Sequence, residues 1–123
     1  MRFSFKGIDH IQLVAPEGCE SQARTFFGEI LGLKEIPKPE NLRKRGGCWF
    51  QCGNQEIHIG IQEGFVPAKK AHPGLVVENL EALRESLLSQ EIIIKEEPPI
   101  EGRNRFFVDD PFGNRIEFLE FLK

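Results

Sequence analysis

The apolar positions of this chain change period several times, and each change marks an element. GIDHIQLVA, from Gly7 to Ala15, is a short apolar run of strand type. From about Glu17 to Leu31, Ala23, Phe26, Phe27, Ile30 and Leu31 recur at helical spacing, and Gly32 supplies a stop. Strands are expected over Leu33 to Ile36, Gly47 to Cys52 and Glu56 to Gln62, with a polar loop from Pro37 to Gly46 between the first two. The order then restarts with a strand over His72 to Val77. Asn79 caps a helix with Leu80, Leu83, Leu87 and Leu88 on one face. Strands follow at Ile92 to Lys95, Arg105 to Asp109 and Arg115 to Leu122. Asp110-Pro111-Phe112-Gly113 forms the turn between the last two, with Pro at its second position and Gly at its fourth.

Each half therefore reads β-α-β-β-β, and the halves correspond in detail. HIQLVA at His10 answers HPGLVV at His72, and WFQCGNQEIHIGI answers FFVDDPFGNRIEFLE, with Glu117 in the place of His58. A long period that occurs only twice points to a duplicated module, since a solenoid needs at least three repeats. The expectation is a single α+β domain over residues 1–123, with module 1 at about 6–63 and module 2 at about 70–123.

Strand parity places the polar residues. Side chains alternate across a strand, so residues two apart share a face. Ile57, Ile59 and Ile61 claim the core face of their strand, which puts Glu56, His58, Gly60 and Gln62 on the other. Ile11 and Leu13 oppose His10 and Gln12; Ile116 and Phe118 oppose Glu117; His72 lies away from Leu75 and Val77. The chain has three histidines, and all three fall at repeat-equivalent positions together with one glutamate. Imidazole nitrogens and a carboxylate suit Zn²⁺, Fe²⁺, Mn²⁺ or Ni²⁺, and the set alone does not choose among them.

Composition narrows the chemistry further. There is no Tyr, so no phenol can serve as acid, base or nucleophile. A net charge of −3 argues against a nucleic-acid partner. No apolar run approaches the ~20 residues of a membrane span, and the first residues lack the apolar core of a signal peptide. Cys19, Cys48 and Cys52 are odd in number and read as reduced thiols in a cytoplasmic protein, packed as small hydrophobes. The sequence patterns of serine hydrolases, dinucleotide enzymes and nucleoside triphosphatases are absent. Basic stretches at Lys38 to Arg45 and Lys69-Lys70 offer grips for a carboxylate or phosphate, and Arg45, Lys69 and the single Trp49 are the candidate substrate-binding residues.

GIDHIQLV, FFGEILGLKEI, EIHIG, AHPGLVV and DPFGNRIEFLE together resemble the vicinal oxygen chelate superfamily, which includes glyoxalase I, bleomycin-resistance proteins and extradiol dioxygenases. The resemblance implies that the two modules curve into an open, incomplete barrel around a cup holding a divalent metal. By position the ligands would be His10, His58, His72 and Glu117, with Glu117 also carrying a proton between adjacent substrate carbons and Glu56 a second choice. It further implies a homodimer acting on a small oxygenated metabolite, with lyase or isomerase chemistry through an enediolate-type intermediate. Thiol transfer, dioxygenation and drug sequestration without turnover are the alternatives. Glyoxalase I typically has glutamate where this chain has His58. Fosfomycin thiol transferases and extradiol dioxygenases resemble a three-ligand pattern of His10, His72 and Glu117, in which His58 stands beside the metal.

Overall fold

The structure is a computed structural model describing residues 2–123. Its strands are β1 (His10–Ala15), β2 (Lys34–Ile36), β3 (Cys48–Cys52), β4 (Gln55–Ile61), β5 (Gly74–Val76), β6 (Arg103–Asp109) and β7 (Arg115–Phe121). The first helix, α1 (Glu20–Ala23), runs on with π spacing over Arg24–Ile30, and the second is α2 (Leu80–Ser89). The strands form two mixed sheets, ordered β1-β4-β3-β2 and β5-β7-β6. β1 runs parallel to β4 as β5 does to β7, and β3 runs antiparallel to β4 as β6 does to β7. The duplication inferred from the sequence is thus visible as a repeated pairing scheme, and neither sheet closes into a barrel.

Several boundaries differ from the sequence reading. The expected strand at Ile92 to Lys95 is reduced to one bridge, where Lys95 and Phe107 exchange backbone hydrogen bonds of 2.8 and 2.9 Å. Pro98 and Pro99 lie three and four residues beyond Lys95 and lack an N–H, so the ladder does not extend past the bridge on that side. The loop from Pro37 to Gly46 contains a 3₁₀ helix, Glu40–Arg45. β1 starts at His10 and β5 at Gly74, so His72 stands ahead of its strand instead of within it.

Burial explains the π turn. The Leu31 amide donates to the Phe26 carbonyl at 2.9 Å, five residues back, and this wider turn lets neighbouring Phe26 and Phe27 both face inward. Phe27 packs 5.6 Å from Phe50, centroid to centroid. One apolar cluster runs through both modules, joining Phe27, Phe50, Ile57 and Ile59 with Phe106, Val108, Ile116 and Phe118. Leu80 and Leu87 bring α2 onto it and Leu83 packs against it, while Leu88, read from the spacing as part of the same face, is 56% exposed. The Asn79 side chain accepts from the Ala82 amide at 3.2 Å, the capping bond expected of it. At the mouth of β3, Gly47 has φ +86°, and a Cβ there would lie 2.0 Å from the Ile59 carbonyl oxygen, so only glycine fits.

The modules are tied by the turn between β6 and β7. Asp110 Oδ1 accepts from the Phe112 and Asn114 amides at 2.9 and 2.8 Å. Asn114 Nδ2 donates to Asp110 Oδ2 and, across the module boundary, to the Val14 carbonyl, both at 2.8 Å. Burial pushes the Asp110 carboxyl up, and these donors pull it back toward the ionised form.

Candidate functional site

The register of module 1 brings its polar residues onto one face. His10 lies opposite Glu56, and His58 lies between Gln12 and Trp49. The Trp49 and His58 rings stack 3.7 Å apart at an interplanar angle of 3°, and His10 lies on His58 at 4.2 Å and 14°. His58 Nε2 bonds Glu56 Oε1 at 2.9 Å, and with rings on either side the residue is only 4% exposed. The side chain of His10 is 45% exposed, and its Nδ1 lies 2.9 Å from Asp9 Oδ2.

Module 2 holds the other two. His72 Nε2 lies 3.1 Å from Glu117 Oε1, and its Nδ1 lies 2.8 Å from the Lys70 carbonyl. A carbonyl only accepts, so Nδ1 carries a hydrogen and Nε2 is the nitrogen turned to the carboxylate. A bare lone pair facing a carboxylate oxygen is repulsive. A cation, whether a proton or a metal ion, therefore belongs between them. The separation also matches two neighbouring ligands of one ion, which at bonds of ~2.0–2.2 Å stand roughly 3 Å apart. The Nδ1–H to carbonyl bond is the kind of contact that orients a metal-binding imidazole. Glu117 Oε2 lies 3.5 Å from Arg105 Nη1.

The four candidate ligands thus form two pairs. Among the described residues no group of three or more His, Cys, Asp or Glu side chains comes together to hold a metal ion. His10 and His58 are stacked nearly parallel, so their in-plane lone pairs do not converge on a common point. Of the candidate substrate residues, Arg45 and Trp49 line a cavity of about 200 Å³ with Gln12 and Lys38. Lys69 is exposed on the segment before β5. The three cysteines are free, and burial raises each thiol, Cys48 to about 11, as suits packing residues and not nucleophiles.

Sequence reasoning missed Arg105, Phe107 and Arg115. Phe107 faces Glu117 in the ladder, with the Arg115 guanidinium 4.0 Å and that of Arg105 5.3 Å from its ring centroid. The His72 ring meets Phe107 edge-on at 4.9 Å. This phenyl is therefore the floor on which the groups around Glu117 rest. The turn at Asp110 to Gly113 carried the missing signal, because it fixes the β6–β7 register and hence the face of Arg105.

The chain's family and fold are shared with known proteins. A family model described as Glyoxalase/Bleomycin resistance protein/Dioxygenase superfamily matches residues 7–118. A crystal structure described as a glyoxalase family protein from Bacillus anthracis superposes with a TM-score of 0.96 at 53% identity, covering 99% of this chain and 100% of that one. A glyoxalase family protein from Enterococcus faecalis is 25% identical with a TM-score of 0.73, covering 94% of this chain and 98% of that one. Lactoylglutathione lyase from Agrobacterium tumefaciens shares the fold at a TM-score of 0.73 and 18% identity, covering 94% of this chain and 93% of that one. No curated protein matches the chain. No helix among the described residues is long and apolar enough to cross a membrane. With the matched model spanning nearly all of its length, this chain belongs to the Glyoxalase/Bleomycin resistance protein/Dioxygenase superfamily.

Proposed function

We propose that this protein is a divalent-metal-dependent enzyme acting on a small oxygenated metabolite, with lyase or isomerase chemistry of the glyoxalase kind. The observation that carries the reading is the His72–Glu117 pair, whose orientation calls for a cation between Nε2 and Oε1. Zn²⁺, Fe²⁺, Mn²⁺ and Ni²⁺ all suit such donors. His10 is the third donor, contributed by a second copy of the chain in a homodimer. The division of the donors into two separate pairs supports this, as does the exposure of His10.

Bound there, a divalent ion would act as a Lewis acid toward two neighbouring substrate oxygens. The protein supplies the proton handling. The Glu117 carboxylate can take a proton from one substrate carbon and return it to the next, while Arg105 holds its second oxygen. His72 is oriented by the Lys70 carbonyl, and Phe107 supports both. Trp49 and His58 of the copy that supplies His10 wall the opposite face, with Glu56 orienting the imidazole.

A second reading follows from the same three donors and from the place of His58. Buried, stacked and bonded to Glu56, it fits a residue beside the metal better than a ligand. The three-ligand set that remains is the one resembling thiol transferases and dioxygenases. The free thiols of Cys19, Cys48 and Cys52 support a cytoplasmic setting.

The test is metal content together with turnover. Purified protein loaded with Ni²⁺, Co²⁺ or Zn²⁺ should hold about one ion per chain, lost in His72→Ala and Glu117→Ala, and should isomerise thiol hemithioacetals. Metal retained in both variants would overturn the site. Metal binding without this turnover would favour the transferase or dioxygenase reading, or sequestration of a ligand.

A further inference from the structure

We propose that Arg103 and Arg105 form an oxyanion-binding subsite for a carboxylate or phosphate group, placed beside Glu117. Both lie on one face of β6, two residues apart, and both line a cavity of about 460 Å³ along the outer edge of that strand. The Nε atoms of both are buried and have no hydrogen-bond partner. Buried charged donors are almost always satisfied, so two orphans side by side mark acceptors still to come.

The neighbouring acids do not fill the role. Glu96 pairs with Arg84 Nη1 at 2.5 Å, and Glu81 lies 3.5 Å from Arg84 Nε. Glu97 pairs with Arg115 at 2.6 Å. Glu120 accepts from the Asn79 and Leu80 amides at 2.8 and 3.0 Å, capping α2. Every carboxylate lining the cavity thus already has a partner other than Arg103 and Arg105, with Arg84 on the cavity wall serving Glu81 and Glu96. Arg103 rests on the Phe121 ring, 4.8 Å from its centroid, and no carboxylate lies within ion-pair distance of it among the described residues. Arg105 donates through Nη2 to the Pro98 carbonyl at 2.6 Å and meets Glu117 only at 3.5 Å. Two half-buried guanidinium groups with spare donors, one already aimed by a backbone bond, suit the planar oxygens of a carboxylate or phosphate.

Arg105 touches both the cavity and Glu117. That the anion belongs to the substrate rests on reading His72 and Glu117 as the reaction centre. The substrate class is then a small oxygenated metabolite whose reacting oxygens meet Glu117 and whose anionic group lies on β6.

The test uses protein stripped of metal on a chelating resin, so its outcome does not depend on the metal reading. The arginine Nε–H resonances are followed by ¹H–¹⁵N NMR while inorganic phosphate, and separately malonate, is titrated in. The Arg103 and Arg105 signals should shift saturably, and Arg24, whose Nε is already bound to Glu35 at 2.9 Å, should stay in place. Arg103→Gln and Arg105→Gln should each weaken binding by about tenfold or more, with Arg103→Lys recovering part of the loss. Saturation by malonate alone assigns a carboxylate, and by phosphate alone a phosphate. No saturable shift with either probe, an equal drift of every arginine, or unchanged affinity in a folded Arg103→Gln protein would overturn the subsite.

Discussion

Replacing Asn114 with alanine tests how the two modules are held together. The Nδ2 group makes two hydrogen bonds of 2.8 Å, to the Val14 carbonyl and to Asp110 Oδ2. Both residues of the turn pair are buried, with Asn114 7% and Asp110 4% exposed. Losing two bonds at about 1 kcal/mol each, with part of the desolvation cost of two stranded acceptors, comes to about 2–4 kcal/mol. With a urea m-value of about 2 kcal/mol/M, the midpoint should fall by about 1–2 M. Trp49, the only tryptophan, reports unfolding by fluorescence. The loss should also depend on pH. The Asp110 carboxyl is already raised by burial and partly restored by the side-chain and backbone donors of Asn114. Alanine keeps the backbone N–H but loses the Nδ2 donor, which raises the carboxyl further, so the variant's penalty grows as pH climbs above the ordinary carboxylate value and shrinks as pH falls toward it. A midpoint within about 0.3 M of wild type at pH 7, or a penalty equal at pH 4 and pH 7, would refute the reasoning.

Further outcomes follow from other contacts. Glu20 Oε2 accepts from the Gly47 amide at 2.7 Å, and this bond, chiefly, lowers its carboxyl. The stabilisation is therefore full above the ordinary carboxylate value and lost as pH falls through the lowered native one. Glu20→Ala should cost about 1 kcal/mol at pH 7 in urea melts, discounted for partial exposure, and progressively less as pH falls below the ordinary carboxylate range. Gly47→Ala should cost about 3 kcal/mol or more, because positive φ and a collision with the Ile59 carbonyl act together; near-normal stability would show that the strand mouth can relax. Cys19 and Cys48, buried with raised thiols, should stay unreactive toward a thiol reagent at pH 7.5 until the protein unfolds, and prompt native-state labelling of both would contradict their burial.

The fold was legible where local pattern and burial agree. Alternating isoleucines in β4, Leu80, Leu83 and Leu87 on α2 and the Asp110-to-Gly113 turn each match the structure because the same burial that sets the pattern holds the element. The second expected strand of module 2 failed because pairing is not local. Ile92 to Lys95 has strand character, but only Lys95 meets a partner in β6, and Pro98 and Pro99 bar extension on its far side. The π turn escaped notice because adjacent phenylalanines fit a helical period well enough. Parity placed Glu117 and His58 on their faces but could not say what would lie over them. His58 is enclosed by rings from two other strands, a contact across chain-distant residues that no spacing records. The arginines around Glu117 were readable in principle from the turn register, yet as surface charges they carried no signal until Phe107 was seen beneath them.

Under the proposed function, His72 and Glu117 of one chain complete a metal site with His10 of another. The most direct measurement is the metal content of a mixed dimer in which one chain carries His10→Ala and the other carries His72→Ala with Glu117→Ala. Each variant alone should load no ion. If the site is built across the dimer, the mixed dimer retains one intact site and should hold one Zn²⁺ or Ni²⁺ per dimer. A mixed dimer that binds no metal while the wild type loads fully would contradict the account.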